Sequence, residues 1–282
     1  MFEMLPQVKD DGLIIPEAGV WAERKYRVIW NYANLFSTGM KNKWDKLVYI
    51  DLFSGAGYTK IAGTSLIIPS SPLLALNVKD RFRKYIFCEQ DTRKLMALKE
   101  RVLRDYSGVD VSYFEGDSIT NIDKIIAEIP PHGRGRKILS FCFIDPYKIR
   151  NFLFRVITVL SNKFVDFLVL IPSFMDANRN IEHYAQDTHI SIEDFTGLSN
   201  WREAWNREKL KGKSFGSFLP DIFGQSMINL GYKYEGSEST ITIRYPNNNT
   251  PLYHLCFFSK HEKGMKFWRE AKKYSTDQGD LF

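Results

Sequence analysis

Residues Lys46-Leu-Val-Tyr-Ile-Asp-Leu-Phe-Ser-Gly-Ala-Gly57 decide how this sequence folds. The run from Lys46 to Leu52 is short and apolar without polar alternation, the pattern of a strand buried on both faces. Ser54-Gly-Ala-Gly57 then breaks it with a tight turn, where glycine opens backbone conformations closed to other residues. A buried strand ending in a glycine turn is the opening half of a βαβ unit.

The sequence on both sides continues that unit. Upstream, Trp21, Tyr26, Val28, Ile29, Tyr32, Ala33 and Phe36 recur at the spacing of one helical face, so a helix over 21–40 is expected to pack beside the strand. Downstream, the stretch 61–69 carries no helix start, whereas Ser70-Ser71-Pro72 offers a cap and a first-turn proline before residues 73–78. Roughly a dozen residues therefore intervene between turn and helix, more than the usual βα connection. Strands over 84–88, 109–114, 137–144 and 164–171 then alternate with helices near 92–104, 120–129 and 151–161. That alternation predicts right-handed crossovers and five parallel strands by residue 171. From 172 to 212 it lapses into short helices outside the sheet, the natural place for a substrate-facing insertion. A helix near 216–230 and strand-like runs over 238–245 and 251–259, flanking Asn247-Asn-Asn249, close the sheet as a hairpin. The expected architecture is α/β: a doubly wound, seven-stranded mixed sheet with a C-terminal β-hairpin and a helical insertion after strand five. It divides into an N-terminal helical segment packing on the core (1–45), a cofactor-binding core (46–171), the insertion (172–212) and a C-terminal helix and hairpin (213–282).

Composition narrows the function classes. At 44% hydrophobic and 26% charged residues, a chain of 282 residues is globular rather than fibrous or disordered, and it buries a substantial core. Cys88, Cys142 and Cys256 lie far apart in apolar runs, which points to buried thiols rather than a disulfide framework or a zinc site. His132, His183, His189, His254 and His261 show no ligand spacing, so no metal is expected. No run reaches the roughly 18 apolar residues of a membrane span, and the first residues lack a signal pattern, so a cytoplasmic protein without membrane contact is expected.

In open α/β sheets the ligand sits outside the carboxyl ends of the strands, so residues just after each strand are the candidates. After strand one, Gly55 and Gly57 let the backbone approach a ligand, with Asp51 and Phe53 beside them. After strand two come Glu89 and Gln90. Glu89 falls 32 residues after Gly57, and removing the intervening dozen leaves about 20, the usual separation of a glycine turn from a ribose-binding acid. After strand three, Asp117 is placed to accept from an adenine amino group, with Ser118 next to it; helix capping is the alternative reading. After strand four, Asp145-Pro146-Tyr147 supplies an acid, a rigid turn and a flat ring for a substrate amine, followed by Lys148.

The formal net charge of +6 permits a polyanionic partner. Basic residues cluster at Lys41/Lys43/Lys46, Arg81/Arg83/Lys84 and Arg134/Arg136/Lys137. A fourth cluster, Arg202, Arg207, Lys209, Lys211 and Lys213, is interleaved with Trp201, Trp205 and Phe215. Lys148, Arg202, Lys211 and Lys213 are the candidate substrate or nucleic-acid contacts, DNA or RNA, unless the helix buries its tryptophans.

The sequence resembles the three-Cys-motif partner proteins, bacterial proteins of methyltransferase-like fold usually encoded beside a radical-SAM-like protein with a three-cysteine motif. The likeness runs through the helix Lys25-Tyr-Arg-Val-Ile-Trp-Asn-Tyr32, the block Tyr49–Gly57, Ser71-Pro72, Phe87-Cys-Glu89, Phe143-Ile-Asp-Pro-Tyr147 and the ending Tyr253–Gly264. It implies the Rossmann-like fold of S-adenosylmethionine (SAM)-dependent methyltransferases, with SAM as cofactor held by Asp51, Phe53, Gly55, Gly57, Glu89, Gln90, Asp117 and Ser118. Asp-Leu-Phe-Ser-Gly-Ala-Gly is also similar to the first motif of cytosine-C5 DNA methyltransferases, but no Pro-Cys nucleophile follows. Asp145-Pro-Tyr147 is similar to the Asp-Pro-Pro-Tyr of enzymes that methylate amino groups of bases, with one proline missing. The expectation is a SAM-dependent methyltransferase acting on a nucleic-acid amino group; the alternative is a weak or inactive relative serving the three-cysteine-motif partner.

Overall fold

A computed structural model describes residues 5–186 and 188–273 of the chain. Its elements follow the expected alternation: β1 (Glu17–Ala18), α1 (Ala22–Met40), β2 (Lys46–Asp51), β3 (Tyr58–Ile61), β4 (Ile67–Pro69), α2 (Ser71–Leu76), β5 (Lys84–Glu89), α3 (Thr92–Asp105), β6 (Val111–Glu115), α4 (Ser118–Glu128) and β7 (Ile138–Ile144). There follow α5 (Phe154–Leu160), β8 (Val165–Ile171), the short helices α6 (Ile181–Tyr184), α7 (Ser191–Thr196) and α8 (Trp201–Leu210), then α9 (Phe215–Asn229), β9 (Thr240–Arg244), β10 (Pro251–Phe258) and α10 (Glu262–Lys273). The main sheet has seven strands in the order β6-β5-β2-β7-β8-β10-β9. β2 pairs in parallel with β5 and β7, and β10 runs antiparallel to both β8 and β9. This is the expected mixed α/β sheet closed by a hairpin. By their internal contacts the described residues form two compact units, 5–143 with 266–273, and 144–265.

In the first unit β2 is buried from Leu47 to Asp51, as its unbroken apolar run requires. Helix α1 turns Tyr26, Val28, Ile29, Tyr32, Ala33 and Phe36 inward at the spacing read from the sequence. Tyr32 and Phe36 meet Phe141 of β7 at ring-centroid distances of 4.8 and 5.6 Å, and Tyr49 meets Phe82 and Phe141 at 5.5 and 5.6 Å. Aromatic pairs at such spacings add about 0.5–1.5 kcal/mol each beyond area burial. The dozen residues between turn and helix, which carry no helix start, form the β3–β4 hairpin. Its strand β3 also pairs with β1, making a separate three-stranded sheet. Two-residue β1 is too short to leave a periodic signal.

In the second unit the predicted helix over 151–161 begins only at Phe154, because Ile149–Asn151 winds as a tighter 3-10 turn. Helix α8 buries Trp201 and Trp205, whose rings meet Phe215 at 5.7 and 5.1 Å. The indoles of the fourth basic cluster are therefore core side chains rather than a stacking platform. No helix among the described residues is long and apolar enough to cross a membrane.

His254 of β10 is buried, and its Nδ1 lies 2.7 Å from the Ser173 hydroxyl. Burial, reinforced by Arg244, pushes its imidazolium pKa down to about 4 against the pull of Asp221. The unfolded chain takes up this proton near pH 6.5 and the folded one only near 4, so stability is lost as pH falls through that window. Urea unfolding is expected to show a loss of about 2 kcal/mol from this group between about pH 7.5 and about pH 5. His254→Gln is expected to remove that part of the pH dependence.

Candidate functional site

The glycine turn is held from two directions within the first unit. From β5, the Cys88 carbonyl accepts from Ser54 N–H at 3.0 Å, and Glu89 accepts from Gly55 N–H at 2.8 Å through Oε2. The other oxygen, Oε1, accepts from Asp91 N–H at 2.9 Å, while the Glu89 carbonyl receives Gly116 N–H from the end of β6 at 3.1 Å. Asp51, fully buried, accepts from Phe53 N–H at 3.2 Å and from the Tyr49 hydroxyl at 3.3 Å. Asp51, Glu89 and Asp117 thus converge at the carboxyl ends of β2, β5 and β6, and all three act together on the Cys88 thiol. Burial and these charges push that thiol up to about 12, which removes it as a nucleophile.

The two glycines differ in what they require. Gly57 has φ +91°, and a Cβ there would lie 3.0–3.2 Å from Leu73 and Leu98, so its bareness serves internal packing. Gly55 has φ +65° and nothing within 4 Å of a notional Cβ, so its bareness keeps open space above the turn. Only Gly55 fits the role of letting a ligand approach. Asp117 caps α4 through a 2.8 Å bond from Thr120 N–H to Oδ1, the alternative weighed for it, and its Oδ2 has no protein partner among the described residues. The neighbouring Ser118 hydroxyl is buried and likewise without a partner. Phe53 is half-buried and Gln90 exposed.

From the other side the turn is gripped by a residue that no local pattern distinguishes. Arg101 of α3 is fully buried, and Nη1 donates to the Ala56 carbonyl at 2.6 Å and to the Ile14 carbonyl at 3.2 Å. Its Nε and Nη2 grip both carboxylate oxygens of Asp11 at 2.9 and 2.6 Å, and its guanidinium lies 4.3 Å over the Tyr58 ring. Arg101 and Arg104 hold the Asp11 carboxyl down to about 2. A lone arginine among helical residues reads as a solvated face; only a partner ninety residues away makes it a core residue.

In the second unit, Asp145 is half-buried, Pro146 buried and Tyr147 78% exposed, with Lys148 Nζ 5.9 Å from the Tyr147 ring. The turn after them is anchored by buried Asp176, which accepts from Ile149 N–H at 2.8 Å and from the Tyr184 hydroxyl at 3.1 Å. Asp176 lies in a π-helical turn, Ser173–Ala177, inside the segment expected as an insertion. The candidate nucleic-acid residues of the fourth basic cluster are occupied inside this unit. Arg202 binds Glu193 and the carbonyls of Ala185, Gln186 and His189; Lys211 pairs with Glu208, and Lys213 with Asp221.

No protein-family model and no curated protein matches the sequence. Among solved structures, the chain is similar to a protein from Legionella pneumophila at 14% identity and a TM-score of 0.45, over 89% of this chain and 92% of that one. It is similar to P. horikoshii TYW2 in complex with MeSAdo at 13% identity and a TM-score of 0.41, over 92% of this chain and 72% of that one. These likenesses are too loose to speak for activity.

Breaking the buried ion pair from one side leaves an uncompensated charge in the core. Asp11→Ala is expected to destabilise the protein by about 3–5 kcal/mol in urea unfolding. Pairing it with Arg101→Met is expected to cost less than Asp11→Ala alone, because the stranded charge is then gone. The contribution of Asp11 is present above its unfolded value of 3.8 and fades as pH falls toward 2.

Proposed function

We propose that the first unit binds S-adenosylmethionine and that the chain transfers its methyl group to an amino group of a nucleic-acid base. The observation that carries the reading is the convergence of Asp51, Glu89 and Asp117 around an open glycine turn. Glu89 and Asp117 meet amide N–H groups rather than cations, so their negative charge remains to attract a ligand that combines positive charge with ribose hydroxyls and an amino-purine. The open space at Gly55, the unpartnered Oδ2 of Asp117 and the buried, unpartnered Ser118 hydroxyl suit such a ligand. When bound, the cofactor supplies an electrophilic methyl group on sulfur, and transfer from it depends mainly on alignment.

In this reading Glu89 accepts from the ribose hydroxyls with the lone pairs that Gly55 and Asp91 leave over, and its grip on Gly55 keeps the turn in place. Asp117 Oδ2 accepts from the adenine amino group while Oδ1 continues to cap α4. The acceptor side is assigned to Asp145, Pro146 and Tyr147 on the strength of the chain itself, which reaches Asp145 two residues after Phe143, the strand partner of Asp51. Tyr147 stacks on the base, and Asp145 accepts a hydrogen bond from the amine.

Titration calorimetry of the intact chain with SAM is expected to show binding, weakened at least tenfold in Glu89→Ala; no binding by the parent overturns the proposal. In a methyl-transfer assay with mixed-sequence DNA and RNA, Tyr147→Ala is expected to lower kcat/KM by about ten- to a hundredfold, the worth of one base–aromatic stack. Its SAM affinity is expected to stay unchanged. SAM binding without S-adenosylhomocysteine formation on either polymer would leave a binding protein rather than an enzyme.

A further inference from the structure

Three of the four basic clusters come together at the amino-terminal edge of the first unit's sheet, opposite the glycine turn. Lys46 opens β2 and Lys84 opens β5, and Lys137 immediately precedes β7. These strands are neighbours, with Lys46 in register with Ile138 and Val48 with Lys84. The connection before β7 is tied to the start of β2: Asp45 accepts from Lys137 N–H at 2.7 Å, and the Trp44 and His132 rings lie 5.9 Å apart.

The segments 41–46, 79–84 and 132–137 hold ten basic residues and two acidic ones, whereas the whole chain has 39 basic and 33 acidic. The local surplus exceeds that of the entire chain, so the protein's basicity is concentrated here. Among the described residues only Lys41 and Lys84 of the ten have carboxylate partners, Asp80 for the first and Asp110 with Glu128 for the second. Lys43, Lys46, Lys79, Arg83, Arg134 and Lys137 have none, and like charges left so close favour an anionic partner. Between the first two segments lies a cavity of about 410 Å³, lined by Lys41, Trp44, Lys79, Arg81 and Arg83 along with Asp45, Leu47 and Asp80. Its two carboxylates are already engaged, Asp80 by Thr38 and Lys41, Asp45 by the Lys137 amide.

We propose that this edge docks a polynucleotide through its phosphates, with the half-buried Trp44 indole offering a face to a sugar or base. The unpaired cations extend over three chain segments at adjacent strand starts, which suits a row of phosphates rather than a single one. None of the exposed large apolar side chains belongs to these segments, so the surface lacks the residues that would insert into a membrane. The proposal does not depend on SAM binding, because the surface and the glycine turn lie at opposite ends of the same strands.

The test is fluorescence anisotropy with a labelled RNA and a labelled DNA duplex, each about 30 nucleotides or base pairs long, over a salt series. The parent chain is expected to bind at least one of them. The variant Lys43→Ala/Lys79→Ala/Arg83→Ala/Lys137→Ala is expected to bind at least tenfold more weakly, with the log–log salt slope reduced by about 3 to 4. Its urea midpoint and SAM calorimetry are expected to match the parent's, since all four side chains are exposed. Lys211→Ala/Lys213→Ala, whose lysines are already paired, is expected to change neither affinity nor slope. Absence of polymer binding by the parent near 0.1 M salt, or unchanged affinity and slope in the fourfold variant, overturns the proposal. Tighter binding of the parent to phosphatidylserine vesicles than to either polymer, abolished in the fourfold variant, also overturns it in favour of a lipid surface.

Discussion

The buried guanidinium of Arg101 constrains the first unit more than any other group. Arginine keeps its charge at every accessible pH and carries five donors in a rigid fork, so a site that excludes water from it must supply a carboxylate and carbonyls in matching directions. Asp11, Ile14 and Ala56 supply them. Satisfying one side chain therefore places the N-terminal segment against the glycine turn and fixes the position of the Ala56 carbonyl. That carbonyl is one residue from Gly55, whose N–H Glu89 holds from the opposite direction. The turn is clamped between a cation on α3 and a carboxylate at the end of β5. Its conformation follows from the two grips together rather than from glycine alone.

The parallel arrangement of β5, β2 and β7 gives the unit two chemically different edges. All strands of a parallel set begin on one side and end on the other, so residues that follow strands collect together, as do residues that precede them. Here the residues at or just after the ends of β2, β5 and β6 include Asp51, Glu89 and Asp117, whereas the starts of β2, β5 and β7 are dominated by lysines and arginines. Glu89 and Asp117 are supported by backbone amides at the starts of α3 and α4, where helix dipoles favour negative charge. Apart from Lys41 and Lys84, the cations have no carboxylate partner among the described residues, and on this asymmetry rest the two proposals, a ligand at one edge and a polynucleotide at the other.

The sequence made the sheet legible because its strands are buried on both faces and read as unbroken apolar runs. It made the place of Glu89 at the end of a strand legible, because the separation from a glycine turn is set by the length of one βα unit, once the extra dozen residues are removed. Those residues stayed unreadable because β3 and β4 are three or four residues long, and β3 is stabilised by pairing with β1, a distant partner. Arg101 and Asp176 were missed for a related reason. Their importance comes from burial and from partners 90 and 27 residues away, and nothing in local spacing distinguishes them from solvated charges. The Trp-rich basic helix stayed open between two readings, because its aromatic spacing is also that of an amphipathic helix; packing claimed the indoles. The three basic clusters that converge are scattered through about a hundred residues and become one surface only through the strand order.

The two edges also bear on what kind of substrate the chain can serve. Lys46 and Asp51 are the first and last of the six residues of β2, and the five steps between them, at about 3.3 Å each, put the edges roughly 17 Å apart. A free nucleotide cannot touch both. A polymer can, because successive turns of a nucleic-acid duplex recur about every 34 Å and a folded strand spans more. Phosphate contacts fix register and orientation without reading sequence, so a docking edge set back from the glycine turn would present one part of a polymer to the site while holding another. Selectivity for the modified position would then come from the geometry between the edges as well as from contacts at the base.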